Sequence, residues 1–577
     1  MRGKRLKGRG VTTVALAFVL AFVATCYGAG PCAAQTRGGS SARQRRAPAS
    51  RTQAGGARAR AQAGPAAWRA ALEAVSAESM KGHLSFLASD ALEGRRTPSR
   101  GLDIAAEYIA AQFRRAGLEP AGGDGYFQTA EWRLSARDAS AFRLTFGGGS
   151  SPAPAVRPEQ LGIGFGVAGF NFWEPAGELS LSGARLLKLD YASFPGALTR
   201  EQAEGRVVVT ELPAVPRGDL GRALQVLRET NDFLARVRGL GAPLVLAFDR
   251  RSERARGGRA PRVIDPELSG AGRDLPDFGF GGAQTAPVVF VHGAEAARFF
   301  DSLPAGASDA TADVRVPAAS ETPVRVRNVA GLLRGSDPAL RDTYVIVSAH
   351  YDHIGVREGC DASREDCVNN GANDNGSGTA AVVELASALS KLSKRPKRSI
   401  LFLTFFGEEL GLVGSRYYGR HPLVPLEKTV AQVNLEQIGR TDDSEGPQVG
   451  SLAVTGFDFS EVGEFLRRAG EAEGVRVYKH PTKSDAYFSR SDNQSFADAG
   501  VPAHTAGVAF DFPDYHSAGD HWEKIDYANM ARVARALGRA ALLIADSAQE
   551  PRWNEQNPKA ARYVEAWKKL HGKGGSQ

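Results

Sequence analysis

The stretch Asp342–Gly355 reads "DTYVIVSAHYDHIG". Tyr344, Val345, Ile346 and Val347 form an apolar, β-rich run with no helical period, so they predict a buried strand. The run then gives way to His350, Asp352 and His353. Two later stretches repeat this design. "RSILFLTFFGEEL", Arg398–Leu410, is apolar until it delivers Glu408 and Glu409, and "VAQVNLEQIG", Val430–Gly439, ends on Glu436. Between the first two lies "NNGANDNGSGTAAVVELASAL", Asn369–Leu389, a Gly- and Asn-rich loop followed by a helical pattern of Ala380, Val383 and Leu385–Leu389. Strong strands alternating with helices predict an α/β fold, a mixed, mostly parallel sheet flanked by helices. In such sheets functional residues sit just past the carboxyl ends of the strands.

Upstream, "GLDIAAEYIAAQFRRAGL" is helical and "GYFQTAEWRL" reads as a strand. Residues 150–320 change character: "GRVVVTEL", "APLVLAFD" and "APVVFVHG" are short buried strands separated by helical stretches such as "GRALQVLRETNDFLARVRGL". This predicts a smaller α/β domain inserted into the larger one, which spans 68–149 and 321–548. Residues 549–577 read as a polar tail.

At the start, Arg2, Lys4, Arg5, Lys7 and Arg9 precede an apolar run from Val11 to Val23 and then small residues. That order is a secretory signal peptide, residues 1–34, and predicts an exported protein, periplasmic or extracellular. An uncleaved anchor is the alternative, although the run is short for a span. Residues 35–67 predict a disordered linker. Residues 1–65 hold 12 Lys and Arg and no acid, more than the net +8 of all 577 residues, so the folded part is net negative. The alkaline balance thus gives no support for nucleic-acid binding. Cys360 and Cys367 stand seven apart in one loop, and an exported chain predicts a disulfide there. Zinc binding by the pair is the rival, without a second Cys or His pair at matching spacing.

Each polar group has a plain reading alone. Asp374 serves as well for a helix cap, a lone His is more often a satisfied histidine, and a Glu pair more often a solvated turn. His353, His504 and His521 are left with that reading. Together, Asp352, Asp374, Glu408, Glu409 and Glu436 with His350 and His516 place five carboxylates and two imidazoles at strand and loop ends of one domain. That donor set suits zinc. Two zinc ions close together require a bridging ligand, and Asp374 in its glycine-bearing loop fits that role. His350 and Asp352, two apart, face the same way on a strand, so Asp352 can orient the His350 ring. Adjacent Glu408 and Glu409 diverge, which lets one bind metal while the other faces the attacking water.

The stretches "SAHYDHIG", "GANDNGSGTAAVVELA", "FFGEELGLVGSRYY", "NLEQIGR" and "DYHSAGDHWEKID" resemble, in order, the five metal-site motifs of the co-catalytic zinc exopeptidases typified by bacterial leucyl aminopeptidase. The inserted region resembles a protease-associated domain. The resemblance implies two zinc ions per chain: His350 and Glu436 on one, Glu409 and His516 on the other, Asp374 on both, and Glu408 as general base. It implies a peptide or protein substrate, with an aminopeptidase ahead of a carboxypeptidase. One departure is Glu436, where the family usually carries the shorter Asp; this puts metal affinity or substrate fit on that side in question. Glutaminyl cyclase, with one zinc, and a non-catalytic binding protein of the transferrin-receptor kind share the fold; the full ligand set argues against both. No G-x-S-x-G or H-E-x-x-H occurs. "SDAYFSRSDNQSF" is expected to line the substrate pocket, with Tyr487 steadying an oxyanion or packed as core.

Overall fold

The computed structural model describes residues 66–572 except 149–152, 164–165, 168–169, 172–174, 176, 194–197, 215–219, 251–261, 268–284 and 358–359. The expected signal peptide, and all but the last two residues of the expected linker, lie outside the described residues. No helix among the described residues is long and apolar enough to cross a membrane.

The larger sheet carries the site. Its strands are β1 (Phe127–Ala136), β2 (Ser320–Leu333), β3 (Tyr344–His350), β4 (Ser399–Phe405), β5 (Thr429–Leu435), β6 (Ser451–Val454), β7 (Arg476–Tyr478) and β8 (Ala503–Gly507). Their order is β1-β2-β4-β3-β5-β8-β6-β7, with Arg262–Ile264 added outside β1. The central four, β4, β3, β5 and β8, are parallel, and antiparallel pairs flank them. β4 and β5 are buried at every residue because helices cover both faces. On one face Val345 and Val347 pack with α1 (Gly378–Ser390) and α3 (Tyr527–Asp546), while on the other Ile346, Leu401 and Phe405 pack with Tyr418 of α2 (Val413–Arg420).

The chain leaves β3 for β4 on one side and then crosses to β5 on the other. This reversal opens a crevice at the carboxyl end of β3, the place where open α/β sheets bind ligands. His350 is level with Phe405, and Ser348 with Asn434, so the same register brings position 436 beside position 350.

A second, seven-stranded sheet is built from Arg143–Gly147, Leu161–Ile163, Leu179–Lys188, Val207–Thr210, Val245–Asp249, Val288–His292 and Gly306–Val316, with its own apolar core. The three strands expected in this region form and pair in parallel. Two details differ from the expected boundaries. Arg143–Gly147 joins this sheet by pairing with Gly306–Val316, burying Leu144 and Phe146 in its core. Arg262–Ile264, inside the insert, instead extends the larger sheet.

The expected polar tail is a correction. A helix spans Ala561–Leu570, and Trp553, Tyr563 and Val564 are buried against Phe459, Phe488 and Phe496. The Trp553 indole donates to the Gly500 carbonyl at 2.8 Å. Few apolar residues occur here, but they fall on one helical face, and the lysines lie on the other.

Cys360 and Cys367 are bonded, as expected. The bridge closes a loop between His353 and Asp374, whose ends pair as Gly355–Val356 and Val368–Asn369. On the chain-entropy model a loop this short is worth about 2–3 kcal/mol. Reduction and alkylation are expected to lower unfolding stability by about that amount in urea titrations. An unchanged midpoint and slope would show that the crosslink does not constrain the unfolded chain.

Candidate metal centre

Four strand ends supply the crevice. His350 is the last residue of β3, Glu436 follows β5 directly, and Glu408 and Glu409 follow β4 after a turn at Gly407. His516 arrives from the loop after β8 with φ +52°, a left-handed conformation that is unusual away from glycine.

The side chains gather into two groups that share Asp374. On one side Asp374 Oδ1 lies 3.4 Å from His350 Nε2, which is 3.9 Å from Glu408 Oε2. Single donor atoms of His350, Glu408 and Glu436 all lie within 4.8 Å of one another. On the other side Asp374 Oδ2 lies 3.1 Å from His516 Nε2, which is also 3.1 Å from Glu409 Oε2. His353 Nδ1 completes this second group, 2.8 Å from Glu409 Oε1 and 4.0 Å from Asp374 Oδ2. One carboxylate therefore turns one oxygen to each group.

The asparagines around Asp374 hold that position. Asn373 Oδ1 accepts from the amides of Gly439 and Arg440, both at 2.8 Å. Asn375 Oδ1 accepts from Gln437 N, and its amide donates to the Leu435 carbonyl at 2.8 Å. Both thus tie the loop to the segment that carries Glu436. Asp520 accepts from the backbone amides of Asn373 and Asp374. Gly371 has φ +59°, and a Cβ there would stand 2.4 Å from the Asp374 carbonyl oxygen and from His353 Cγ. The cap reading for Asp374 fails: Asn375, not Asp374, accepts from Gly378 N at the start of α1. With capping done by its neighbour, the Asp374 carboxylate is left for the crevice.

Asp352 stands against several of these segments. Its Oδ1 lies 3.5 Å from His350 Nδ1 and accepts from Glu408 N at 3.1 Å, while Oδ2 accepts from the Thr97 hydroxyl. That hydroxyl also accepts from Gly407 N.

These groups fit divalent cations better than they fit one another. His350 Nε2, His353 Nε2 and Glu436 Oε2 are buried without a hydrogen-bond partner, and His353 Nδ1 and Glu409 Oε1 face each other at 2.8 Å without hydrogen-bond geometry; such orphans are costly unless something binds them. Burial, followed by neighbouring Glu436 and Glu409, holds the Glu408 carboxyl well above its usual range, although His350 opposes this. Burial pushes Glu436 up to about 7 against the pull of His350, with Asp374 adding to the rise. A cation among them would remove that penalty. Ligand atoms around one tetrahedral zinc at 2.0–2.1 Å stand about 3.3 Å apart, close to the separations found here. Glu436, despite its extra methylene, reaches its group.

The crevice thus contains His350, Asp352, Asp374, Glu408, Glu409, Glu436 and His516 together. It does not draw in Tyr487, whose hydroxyl donates to both oxygens of Asp511 at 3.3 Å. Tyr515 stands there instead, its ring stacked on His516 at 4.0 Å. Its hydroxyl pKa is raised well above the usual value by burial, then by Asp374 and Glu409. His353 is the other residue that sequence reasoning passed over. His504 keeps the plain reading, buried between the Ser460 hydroxyl and the Thr455 carbonyl. His521 pairs with Asp366 of the disulfide loop.

Known proteins resemble parts of this chain. Residues 328–541 match the model of peptidase family M28. A probable zinc metalloprotease of Pyricularia oryzae is 29% identical over 276 residues, 40% of this chain and 52% of that protein. An aminopeptidase of Bacillus subtilis is 27% identical over 226 residues, 37% of this chain and 44% of that protein. The matched parts therefore span about half, or less, of these relatives. Among solved structures, an aminopeptidase from Aneurinibacillus sp. strain AM-1 shares the fold with a TM-score of 0.52 at 20% identity, over 84% of this chain and all of that one. The segment that matches the model of peptidase family M28 holds the whole set from His350 to His516.

Proposed function

We propose that this chain is an exported exopeptidase that uses two zinc ions to remove the N-terminal residue of a peptide. The observation that carries the reading is Asp374, with one oxygen 3.4 Å from His350 and the other 3.1 Å from His516. His350 and Glu436 would hold one ion, Glu409 and His516 the other, with Asp374 between. His353 stands against Glu409 as a further donor on the second side. The ions supply Lewis acidity toward the scissile carbonyl and lower the pKa of water.

Glu408 is the carboxylate of the pair without a place among those ligands. It takes the proton of the attacking water as the new C–O bond forms, then passes it to the amine as the C–N bond breaks. Asp352 accepts from its amide and so fixes where it stands. Tyr515, whose ring stacks on His516, would donate from its hydroxyl to the carbonyl oxygen as charge develops there. The surrounding carboxylates suit a substrate that arrives with a free ammonium group.

Rates on paired substrates with free and acetylated amino termini test this reading. The free amine is expected to be turned over and the acetylated form not. Equal rates would contradict an aminopeptidase, and dependence on a free carboxyl terminus would make it a carboxypeptidase.

A further inference from the structure

Arg95 lies in the N-terminal segment, more than 250 residues before the first strand-end ligand, yet only 1% of it is exposed. None of its nitrogens is within ion-pair distance of a carboxylate among the described residues. Its guanidinium donates instead to four backbone carbonyls. Nε donates to Tyr351 O at 2.8 Å, Nη1 to Leu87 O and to Asn370 O at 2.7 Å, and Nη2 to Gly371 O at 2.9 Å. Tyr351 separates His350 from Asp352, and Asn370 and Gly371 open the loop that ends in Asp374. The Arg95 carbonyl in turn accepts from His353 N at 3.2 Å.

The backbone that delivers this side chain is strained. Glu93, Gly94 and Arg95 have φ of +49°, +66° and +49°, three left-handed residues in succession. The two with side chains cost about 1–2 kcal/mol each. Gly94 cannot be replaced, since a Cβ there would lie 2.3 Å from Asn369 O and 2.9 Å from Gly355 Cα. Strain of this kind persists where the surroundings over-determine it. A neutral amide would reach at most two of the four carbonyls, and lysine lacks the planar fork. Burial lowers the Arg95 pKa to about 10, with Asp352, Asp520, Asp374 and Glu409 opposing, so the charge is kept at neutral pH.

We propose that Arg95 is a positioning residue for the metal centre: its fork sets the spacing between the segment carrying His350, Asp352 and His353 and the loop carrying Asp374. The proposal rests on the reading that these residues hold two cations.

Arg95→Lys keeps the charge and three donors; Arg95→Met keeps only the bulk. Cobalt titration of the apo-proteins, with a competing chelator and the visible absorption of the bound ion, measures affinity and ligand geometry apart from turnover. The parent is expected to bind two ions. Arg95→Lys is expected to melt near the parent but to bind cobalt about 10–100-fold more weakly, with an altered spectrum, and Arg95→Met more weakly still. Parental affinity and spectrum in Arg95→Lys would overturn the proposal, and decide it even if Arg95→Met does not fold. Two ions in the parent and no change in the variant would fail Arg95 alone, whereas a parent that binds no cobalt would fail the two-metal reading.

Discussion

Glu408→Gln is expected to retain both metal ions while turnover falls by about two to four orders of magnitude, the usual worth of a positioned acid–base group. The substitution preserves shape and the backbone amide that donates to Asp352. It removes only the oxygen able to take a proton. Glu409→Gln should fail differently, because Glu409 stands 3.1 Å from His516 and 2.8 Å from His353. Its loss should empty the second position, so metal content falls with the rate. Metal analysis of both purified variants beside their kcat values separates the roles. Zinc lost from Glu408→Gln and kept in Glu409→Gln would mean that the two are reversed.

The second large effect is expected at Asp374. Asparagine keeps the side-chain size, and the amides that bind Asp520 and the neighbouring asparagines belong to other atoms, so the fold should survive. One of the two oxygens becomes an NH₂, which can only donate and cannot bind a cation. Asp374→Asn should therefore weaken binding by more than the about 10–100-fold that outer partners are worth, and on the bridging account both ions suffer. An equilibrium titration with zinc in a metal buffer gives the answer. If only one ion weakens, Asp374 belongs to one position and does not bridge.

Much of this site was legible because it lies where strands end. The apolar runs of β3, β4 and β5 mark themselves by composition, and the first acidic or imidazole residues at or just past their ends are His350, Glu408, Glu409 and Glu436. The parallel order of the sheet brings those ends together without any further signal. What escaped depends on contacts distant in sequence. His353 follows the strand by three residues, and it gains its place only because the disulfide-closed loop returns to Asp374 beside it. Arg95 and Thr97 sit in an N-terminal stretch with no metal-like pattern; apart from Leu87, the partners that hold them, Tyr351, Asn370, Gly371, Asp352 and Gly407, come from the other side of the insert. Tyr487 and Tyr515 both flank the crevice in sequence, and only the fold shows Tyr487 committed to Asp511 and Tyr515 stacked on His516. The C-terminal helix was hidden by its lysines, which mask a face holding Tyr563 and Val564.

The central claim is that the two groups sharing Asp374 are two metal positions that work together on a peptide bond. The most direct test is to strip the protein with chelator and add zinc stepwise, following bound metal and hydrolysis of an unblocked aminoacyl substrate in the same samples. The account predicts no turnover in the apo-protein, and full turnover as binding approaches two ions per chain. Turnover that survives complete metal removal, or a protein that saturates with two ions and cleaves nothing, would contradict it.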